Sequence, residues 1–392
     1  MSTNKQIAIL GSTGSVGKQA LDVVRACRKR FRVSLLSANN NAELLLQQAM
    51  EFKPRAIIIG NEQKVNYLEK KLANTTVVVF GGAGFLNNLT SIADFDLLVN
   101  ALSGISGLRP SLHAITHKKN IAMANKESMV AGGSLIMDAA RDCKTSVIPV
   151  DSEHSAVFQC LQGESLKTIK RIFLTASGGP FRGMNREELD HVNVEQALRH
   201  PNWEMGEKIS IDSATLANKG LEAIAAQWFF DLTPDQISII QHPQSIVHAL
   251  VQFSDGSLKA QMGVPDMRIP IHYAMHYPER QPAETPVPDF STGVSLNFEE
   301  VDINNFPDLR LALKAMKNGG NHPAAFSAAN EAAVHAFLNK QISFTQIAEI
   351  SENVLTRVSM IPNPNLDEIL ATDANSRKIA DAHIKTIQTL NR

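Results

Sequence analysis

Pro149-Val-Asp151-Ser-Glu153-His154 places two carboxylates two residues apart, directly after the apolar run 146–150. At an extended strand end, residues so spaced share one side, so Asp151 and Glu153 can face a single point. A later segment, Asn218-Lys-Gly-Leu-Glu222, opens a helical stretch that runs on through Trp228. Spacings of three and four residues put Asn218, Lys219 and Glu222 on one helical face. Three hard oxygen donors (Asp151, Glu153 and Glu222) suit Mg²⁺ or Mn²⁺ with positions left open for substrate. Asn218 and Lys219 beside them are donors fit for a phosphate. The plain alternative is a solvated acidic turn and an ordinary surface glutamate, since exposed acidic pairs are common.

Such side chains need elements to position them, and the N-terminal part of the chain supplies a regular alternation. Apolar runs at 6–10, 33–36, 56–59, 76–79, 96–100, 121–124 and 146–150 are separated by helical periods such as 19–28 and 42–52. That pattern predicts parallel βαβ units and a doubly wound, Rossmann-like sheet over residues 1–150. From about residue 169 strand-like runs at 172–175, 208–211, 246–253 and 258–262 come without regular helices between them. Residues 151–276 are therefore expected to form a central α+β catalytic domain. A proline-dense stretch at 277–288 begins a linker expected over 277–311. Helical periods at 311–316, 324–338, 344–358 and 379–390 predict a small bundle over 312–392. The fold class is α/β.

Composition narrows the classes of function. The chain has 392 residues, long enough for two or three domains, and 44% hydrophobic content, enough for a full core. A net charge of −1 argues against general attraction to nucleic acid or anionic membrane, so an anionic ligand must be held locally. Three scattered cysteines, Cys27, Cys143 and Cys160, have no metal-type spacing and fit a reduced, cytoplasmic setting. The short polar start before the first strand leaves no room for a leader, and no apolar run reaches the length of a membrane span.

Gly11-Ser-Thr13-Gly14-Ser15-Val16-Gly17 follows the first strand and opens the first helix. Glycines there let the backbone approach a pyrophosphate, and the helix N-terminus holds it. After the second strand, where an NAD site carries a carboxylate for the ribose, stand Asn39, Asn40 and Asn41. Absence of a carboxylate favours NADPH, although no Arg or Lys accompanies it. Asn125-Lys126-Glu127-Ser128 lies at the C-terminal end of a predicted parallel strand, as ligand contacts or as a helix cap. Ser177-Gly-Gly-Pro180-Phe181 offers a hydroxyl and exposed amides for an anion, or a structural turn. His200-Pro-Asn-Trp203-Glu-Met-Gly206 is a lid or a loop stapled to the core by Trp203. Ser213 is a phosphate ligand or an N-cap.

These segments, in this order and over nearly the whole chain, closely resemble the 1-deoxy-D-xylulose 5-phosphate reductoisomerase family of isoprenoid biosynthesis. Ser327-Ala-Ala-Asn-Glu-Ala-Ala-Val334 extends the resemblance into the C-terminal part. It implies NADPH- and metal-dependent rearrangement and reduction of 1-deoxy-D-xylulose 5-phosphate to 2-C-methyl-D-erythritol 4-phosphate by a cytoplasmic homodimer. Asp151, Glu153 and Glu222 would hold the metal. Ser152, Ser177, His200, Ser213, Asn218 and Lys219 would hold substrate, chiefly its phosphate, with Lys126 near the reacting hydroxyls and Trp203 over them. Thr13, Gly14, Ser15, Val16, Asn125, Glu127 and Gly206 would contact NADPH, with Asn39 and Asn41 at the ribose end. The family often carries a Gly followed by Lys, Arg or Ser where this chain has 39–41. A metal-independent NADP dehydrogenase of a phosphorylated aldehyde or ketone, or a nucleotide sensor without turnover, are the competing classes.

Overall fold

The computed structural model describes residues 4–203, 205–291 and 293–390 and divides into two compact units. The first comprises residues 1–125, 134–151 and 266–285; the second comprises 126–133, 152–265 and 286–392. Both are discontinuous in sequence, whereas a consecutive arrangement was expected. The helix Arg268–His276, absent from the sequence reading, belongs to the first unit. The C-terminal helices belong to the second.

The first unit is built on seven parallel strands: β1 Lys5–Leu10, β2 Phe31–Ala38, β3 Ala56–Ile59, β4 Val78–Gly81, β5 Leu97–Asn100, β6 Asn120–Met123 and β7 Val147–Pro149. Their order is β4-β3-β2-β1-β5-β6-β7, so the direction of winding reverses between β1 and β5. Ile7, Ile9, Leu35, Leu36, Ile57, Ile58 and Ile59 are fully buried, as continuous apolar strands covered on both faces require. The doubly wound expectation holds, with strand ends shifted by one or two residues.

The second unit carries a four-stranded sheet in the order β11-β10-β8-β9. Its strands are β8 Ile169–Ala176, β9 Ile237–Gln241, β10 Val247–Phe253 and β11 Leu258–Met262. β8 and β9 are parallel, while β10 runs antiparallel to β8 and β11. Residues 208–211, expected as strand, lie instead in the helix Glu207–Ala214. Their short apolar alternation fits either period, and burial of Ile211 and Ala214 in one core with Ala329, Ala333 and Phe337 selects the helix. Those alanines and Phe337 come from His322–Leu338, flanked by Pro307–Asn318, Gln346–Arg357 and Leu366–Leu390. The expected linker therefore ends earlier than residue 311, since Pro307 at N1 already opens a helix.

Candidate active site

The glycine turn sits where the first sheet reverses. Gly11 has φ +76°, and a Cβ there would lie 2.4 Å from the Ala101 carbonyl oxygen, at the end of β5. A Cβ on Gly17 would lie 2.2 Å from the Gly11 carbonyl oxygen. Only glycine fits either place. Neutral hydrogen bonds brace the turn: the Gly11 amide donates to Ser37 Oγ at 3.1 Å, and Ser12 Oγ donates to Gln48 Oε1 at 2.7 Å. Gly14 caps the helix Ser15–Ala26 without a side-chain bond, which leaves its first amides for an anion. Thr13 and Val16 are half-buried, Gly14 and Ser15 exposed.

At the end of β2, Asn39, Asn40 and Asn41 are exposed. Asn41 Oδ1 caps the next helix by accepting from the Leu44 amide at 3.0 Å. Asn40 Oδ1 accepts from Asn61 at 3.3 Å, and Lys64 lies 3.8 Å from Glu43. Lys64 is a cation near this loop that sequence reading missed, because it arrives from the connection after β3.

The Asp151-Ser-Glu153 segment is not an extended strand end. β7 stops at Pro149 and the helix Ser152–Cys160 begins at once, so Glu153 stands in a first helical turn. There the helix dipole favours a carboxylate. Asp151 is the residue just before that helix. Asp151, Glu153 and Glu222 each bring a carboxylate oxygen within 4.8 Å of the others. The helix Ala217–Phe230 supplies Asn218, Lys219 and Glu222 on one face, as its spacing requires. Leu216 before it is left-handed at φ +60°, which lets one helix end and the next begin without a loop.

Glu153 and Glu222 are met by ammonium groups. Lys219 Nζ donates to Glu153 Oε1 and to Glu222 Oε2, each at 2.7 Å. Lys126 Nζ donates to Asn218 Oδ1 at 2.6 Å and to Glu222 Oε1 at 3.3 Å. Ser152 Oγ donates to Glu153 Oε2. Burial pushes the Glu153 carboxyl up, but Lys219, Ser152 and nearby His248 together hold it down at about 2. Lys219, although buried, is raised by Glu153 and Glu222 and stays charged. Three hard oxygen donors at this separation fit a divalent cation of the Mg²⁺ or Mn²⁺ type.

Beside this cluster is an anion-type turn. Gly178 and Gly179 have φ +91° and +66°, and a Cβ on Gly179 would lie 2.7 Å from the Ser213 carbonyl oxygen. The turn following β8 thus packs on the backbone of Ser213. Ser213 stands in the last turn of Glu207–Ala214, and Leu216 is the N-cap of the next helix, so the capping alternative for Ser213 falls away. His200 Nδ1 accepts from the amides of Asn202 at 3.2 Å and Trp203 at 3.0 Å. Its proton therefore sits on Nε2, which donates to Ser177 Oγ at 3.0 Å. Ser177 Oγ also accepts from the Gly179 amide at 3.2 Å, leaving its own proton to donate. Burial, with Lys219 adding to it, lowers His200 to about 4, so the ring is neutral at pH 7.

Trp203 is half-buried, its ring centroid 6.2 Å from that of His248, and Asn202 Nδ2 is bonded to the Pro243 carbonyl at 2.7 Å. Glu204, in the same loop, lies outside the described residues. Gly206 caps Glu207–Ala214 and is exposed, with room for a Cβ. Asn125 makes no side-chain cap; its amide donates to the carbonyls of Leu102 and Gly104, both at 2.9 Å. Glu127 lies 3.6 Å from Lys208 Nζ. Lys208 also bonds Asp212, whose other oxygen accepts from Asn330 Nδ2 at 2.8 Å. This Glu127–Lys208–Asp212–Asn330 chain, half-buried at Glu127 and Lys208 and fully buried at Asn330, was missed from sequence. Only the i,i+4 spacing of Lys208 and Asp212 could have hinted at it.

A doubly wound sheet with a glycine turn at its reversal, together with an α+β unit carrying a cluster of carboxylates and ammonium groups, is the arrangement of a dinucleotide-dependent oxidoreductase. Comparison with known proteins sharpens this. The 1-deoxy-D-xylulose 5-phosphate reductoisomerase family matches residues 7–133. The C-terminal domain of that enzyme matches 147–230, and the DXP reductoisomerase C-terminal domain matches 262–379. The 1-deoxy-D-xylulose 5-phosphate reductoisomerase of Bacteroides fragilis is 48% identical over 376 residues, covering 96% of this chain and 97% of its own. That of Porphyromonas gingivalis is 48% identical over 378 residues, covering 96% and 98%. A crystal structure of DOX-P reductoisomerase in complex with NADPH, fosmidomycin and magnesium has a TM-score of 0.93 at 37% identity, covering 98% of this chain and 99% of that one. The Zymomonas mobilis enzyme in complex with NADPH has a TM-score of 0.90 at 39% identity, covering 97% and 99%. The chain belongs to the 1-deoxy-D-xylulose 5-phosphate reductoisomerase family.

Proposed function

We propose that this chain rearranges 1-deoxy-D-xylulose 5-phosphate and reduces the resulting aldehyde with NADPH, giving 2-C-methyl-D-erythritol 4-phosphate for isoprenoid precursors. The observation that carries this reading is the meeting of Asp151, Glu153 and Glu222 within 4.8 Å. These three would hold a divalent cation, Mg²⁺, Mn²⁺ or Co²⁺. When bound, that ion polarises adjacent carbonyl and hydroxyl oxygens of the substrate, and NADPH supplies the hydride.

The remaining roles follow from the side chains. Lys126, held on Asn218 and Glu222, presents its ammonium to the substrate hydroxyls. Ser177, whose hydroxyl proton is left to donate, takes the phosphate together with Ser213, Asn218 and Lys219. His200 orients Ser177 and organises the start of the Trp203 loop through its Nδ1. Trp203 covers the substrate, so phosphate binding remote from the reacting carbons serves to exclude water. Ser152, whose hydroxyl donates to Glu153, aims that carboxylate and adds its own oxygen to the substrate contacts. The turn of Thr13, Gly14, Ser15 and Val16 takes the pyrophosphate, with Asn39 and Lys64 toward the ribose 2′-phosphate.

A homodimer in the cytoplasm is part of the same reading. β11 is an edge strand with Leu258 and Met262 exposed, a surface that pairing between copies would cover. Cys27, Cys143 and Cys160 are free thiols, and no helix among the described residues is long and apolar enough to cross a membrane. The deciding measurement is NADPH oxidation with 1-deoxy-D-xylulose 5-phosphate, with and without chelator. Turnover abolished by chelator and restored by Mg²⁺ or Mn²⁺ is expected. Full turnover in chelator would replace this reading with a metal-independent dehydrogenase.

A further inference from the structure

In the first unit, apart from the catalytic cluster, Cys27, His272 and His276 each offer a ligand atom within 4.8 Å of the others. His272 and His276 lie one turn apart on Arg268–His276, their ring centroids 4.1 Å apart. Cys27 is the C-cap of Ser15–Ala26, a helix that packs on Arg268–His276. Both histidines are buried, at 8% exposure. His276 Nδ1 donates to the His272 carbonyl at 2.9 Å, which leaves the lone pair on its Nε2. That Nε2 and the Nε2 of His272 are both buried without a hydrogen-bond partner. Phe31 holds the His276 ring edge-on at 4.6 Å. Two buried imidazole nitrogens without partners, converging with a thiol, are the kind of unsatisfied polar group that a bound ion accounts for.

We propose that Cys27, His272 and His276 form a second metal site, for a borderline ion of the zinc class, with its fourth position open to water. One thiolate and two imidazoles match Zn²⁺ and are poor ligands for Mg²⁺, so the two clusters sort different ions. Tetrahedral zinc would draw the three atoms to about 3.3–3.6 Å from one another, a movement within the reach of side-chain torsions. Burial, with His276 beside it, holds His272 at about 4 against the pull of the Pro282 backbone, and burial lowers His276 as well. Both rings are thus neutral ligands at pH 7. Burial raises the Cys27 thiol, with Arg30 opposing. Binding therefore forms an S–Zn bond, breaks the S–H bond and releases one proton to solvent. The facing cations are already engaged: Arg30 lies 3.4 Å from Glu279, and Lys5 Nζ donates to the Met275 carbonyl at 3.1 Å. A metal here would pin the returning 268–276 helix to the first helix of the sheet.

The test uses the full chain in excess Mg²⁺, which fills the carboxylate cluster, titrated with Co²⁺ as a spectroscopic stand-in and with Zn²⁺. A thiolate-to-Co²⁺ charge-transfer band that saturates at one equivalent and is lost in Cys27→Ser supports the site. So does a zinc affinity weaker by about tenfold or more in Cys27→Ser and His276→Gln. In a Cys143→Ser/Cys160→Ser background, Zn²⁺ should slow alkylation of Cys27; this readout stands even if a histidine variant does not fold. Absence of the band in the parent chain, its survival in Cys27→Ser, or alkylation indifferent to Zn²⁺ would each overturn the assignment.

Discussion

The glycine turn after β1 and the cluster around Glu222 solve the problem of holding a charged ligand in opposite ways. The turn offers backbone amides braced by neutral side chains, Ser12, Ser37 and Gln48, and its shape depends on missing Cβ atoms. The cluster offers charges, three carboxylates of which Glu153 and Glu222 are answered by Lys126 and Lys219 within a few ångströms. A turn of the first kind fails when something is added to it. A cluster of the second kind fails when something is taken away, because each loss strands an uncompensated charge. The first should be indifferent to pH and the second should not.

The largest effect that separates them is expected from Glu222→Gln. Glu222 is fully buried and accepts from Asn218, Lys126 and Lys219, so the change removes a proposed metal donor and the partner of two ammonium groups. Turnover should fall by about a thousandfold, the loss of several kcal/mol of charge stabilisation. NADPH affinity, read by fluorescence titration, should stay within about twofold of the parent, well under 1 kcal/mol. A matching loss of NADPH binding would erase the contrast between the regions.

Gly17→Ala is the converse. Its methyl would meet the Gly11 carbonyl oxygen at 2.2 Å, so the turn must open. NADPH affinity should weaken by about tenfold to a hundredfold, corresponding to roughly 1.4–2.8 kcal/mol. Mn²⁺ binding, followed by electron paramagnetic resonance, should be unaffected. Unchanged NADPH affinity would show that the turn is not where the pyrophosphate is held.

A smaller effect concerns pH. His200 is held at about 4 in the folded chain against an ordinary value of 6.5, so the unfolded chain takes up the extra proton in that interval. Its contribution to stability is present above 6.5 and is lost as pH falls toward 4. Glu153, held near 2 against 4.5, behaves likewise in a lower window, from 4.5 down to about 2. Melting temperatures of the parent and of His200→Asn should therefore converge as pH drops from 7 to 4. Parallel curves across that range would mean that His200 is not held neutral by its surroundings.

Much of this was legible in the sequence because the relevant physics is local. A glycine turn between strand and helix, a carboxylate pair after a strand and a three- and four-residue spacing on a helix all act within one element. What escaped reading depends on partners distant in sequence. Asn330 reaches Asp212 across 118 positions, and nothing near either residue announces it. Lys126 and Glu222 are 96 apart. The strand β9 was missed, and residues 208–211 were read as strand, because short apolar runs take their period from what they pack against. The extended geometry expected for 151–153 failed for a related reason. Pro149 ends the strand, and the helix dipole then makes a helical first turn a good place for Glu153.

The bond from Asn330 to Asp212 has a consequence for the order in which the protein comes into being. A ribosome delivers residues 207–222 long before residues 329–337, against which Ile211, Ala214 and Leu216 pack. It delivers the first sheet long before the helix 268–276 that completes its unit. At usual elongation rates these intervals are on the order of several seconds to tens of seconds. Through that time the helices Glu207–Ala214 and Ala217–Phe230 have an apolar face and a buried-type aspartate with no finished core to receive them. Two separate parts of the nascent chain therefore wait for partners that arrive late, and residues 207–216 reach their final packing only after most of the chain has emerged.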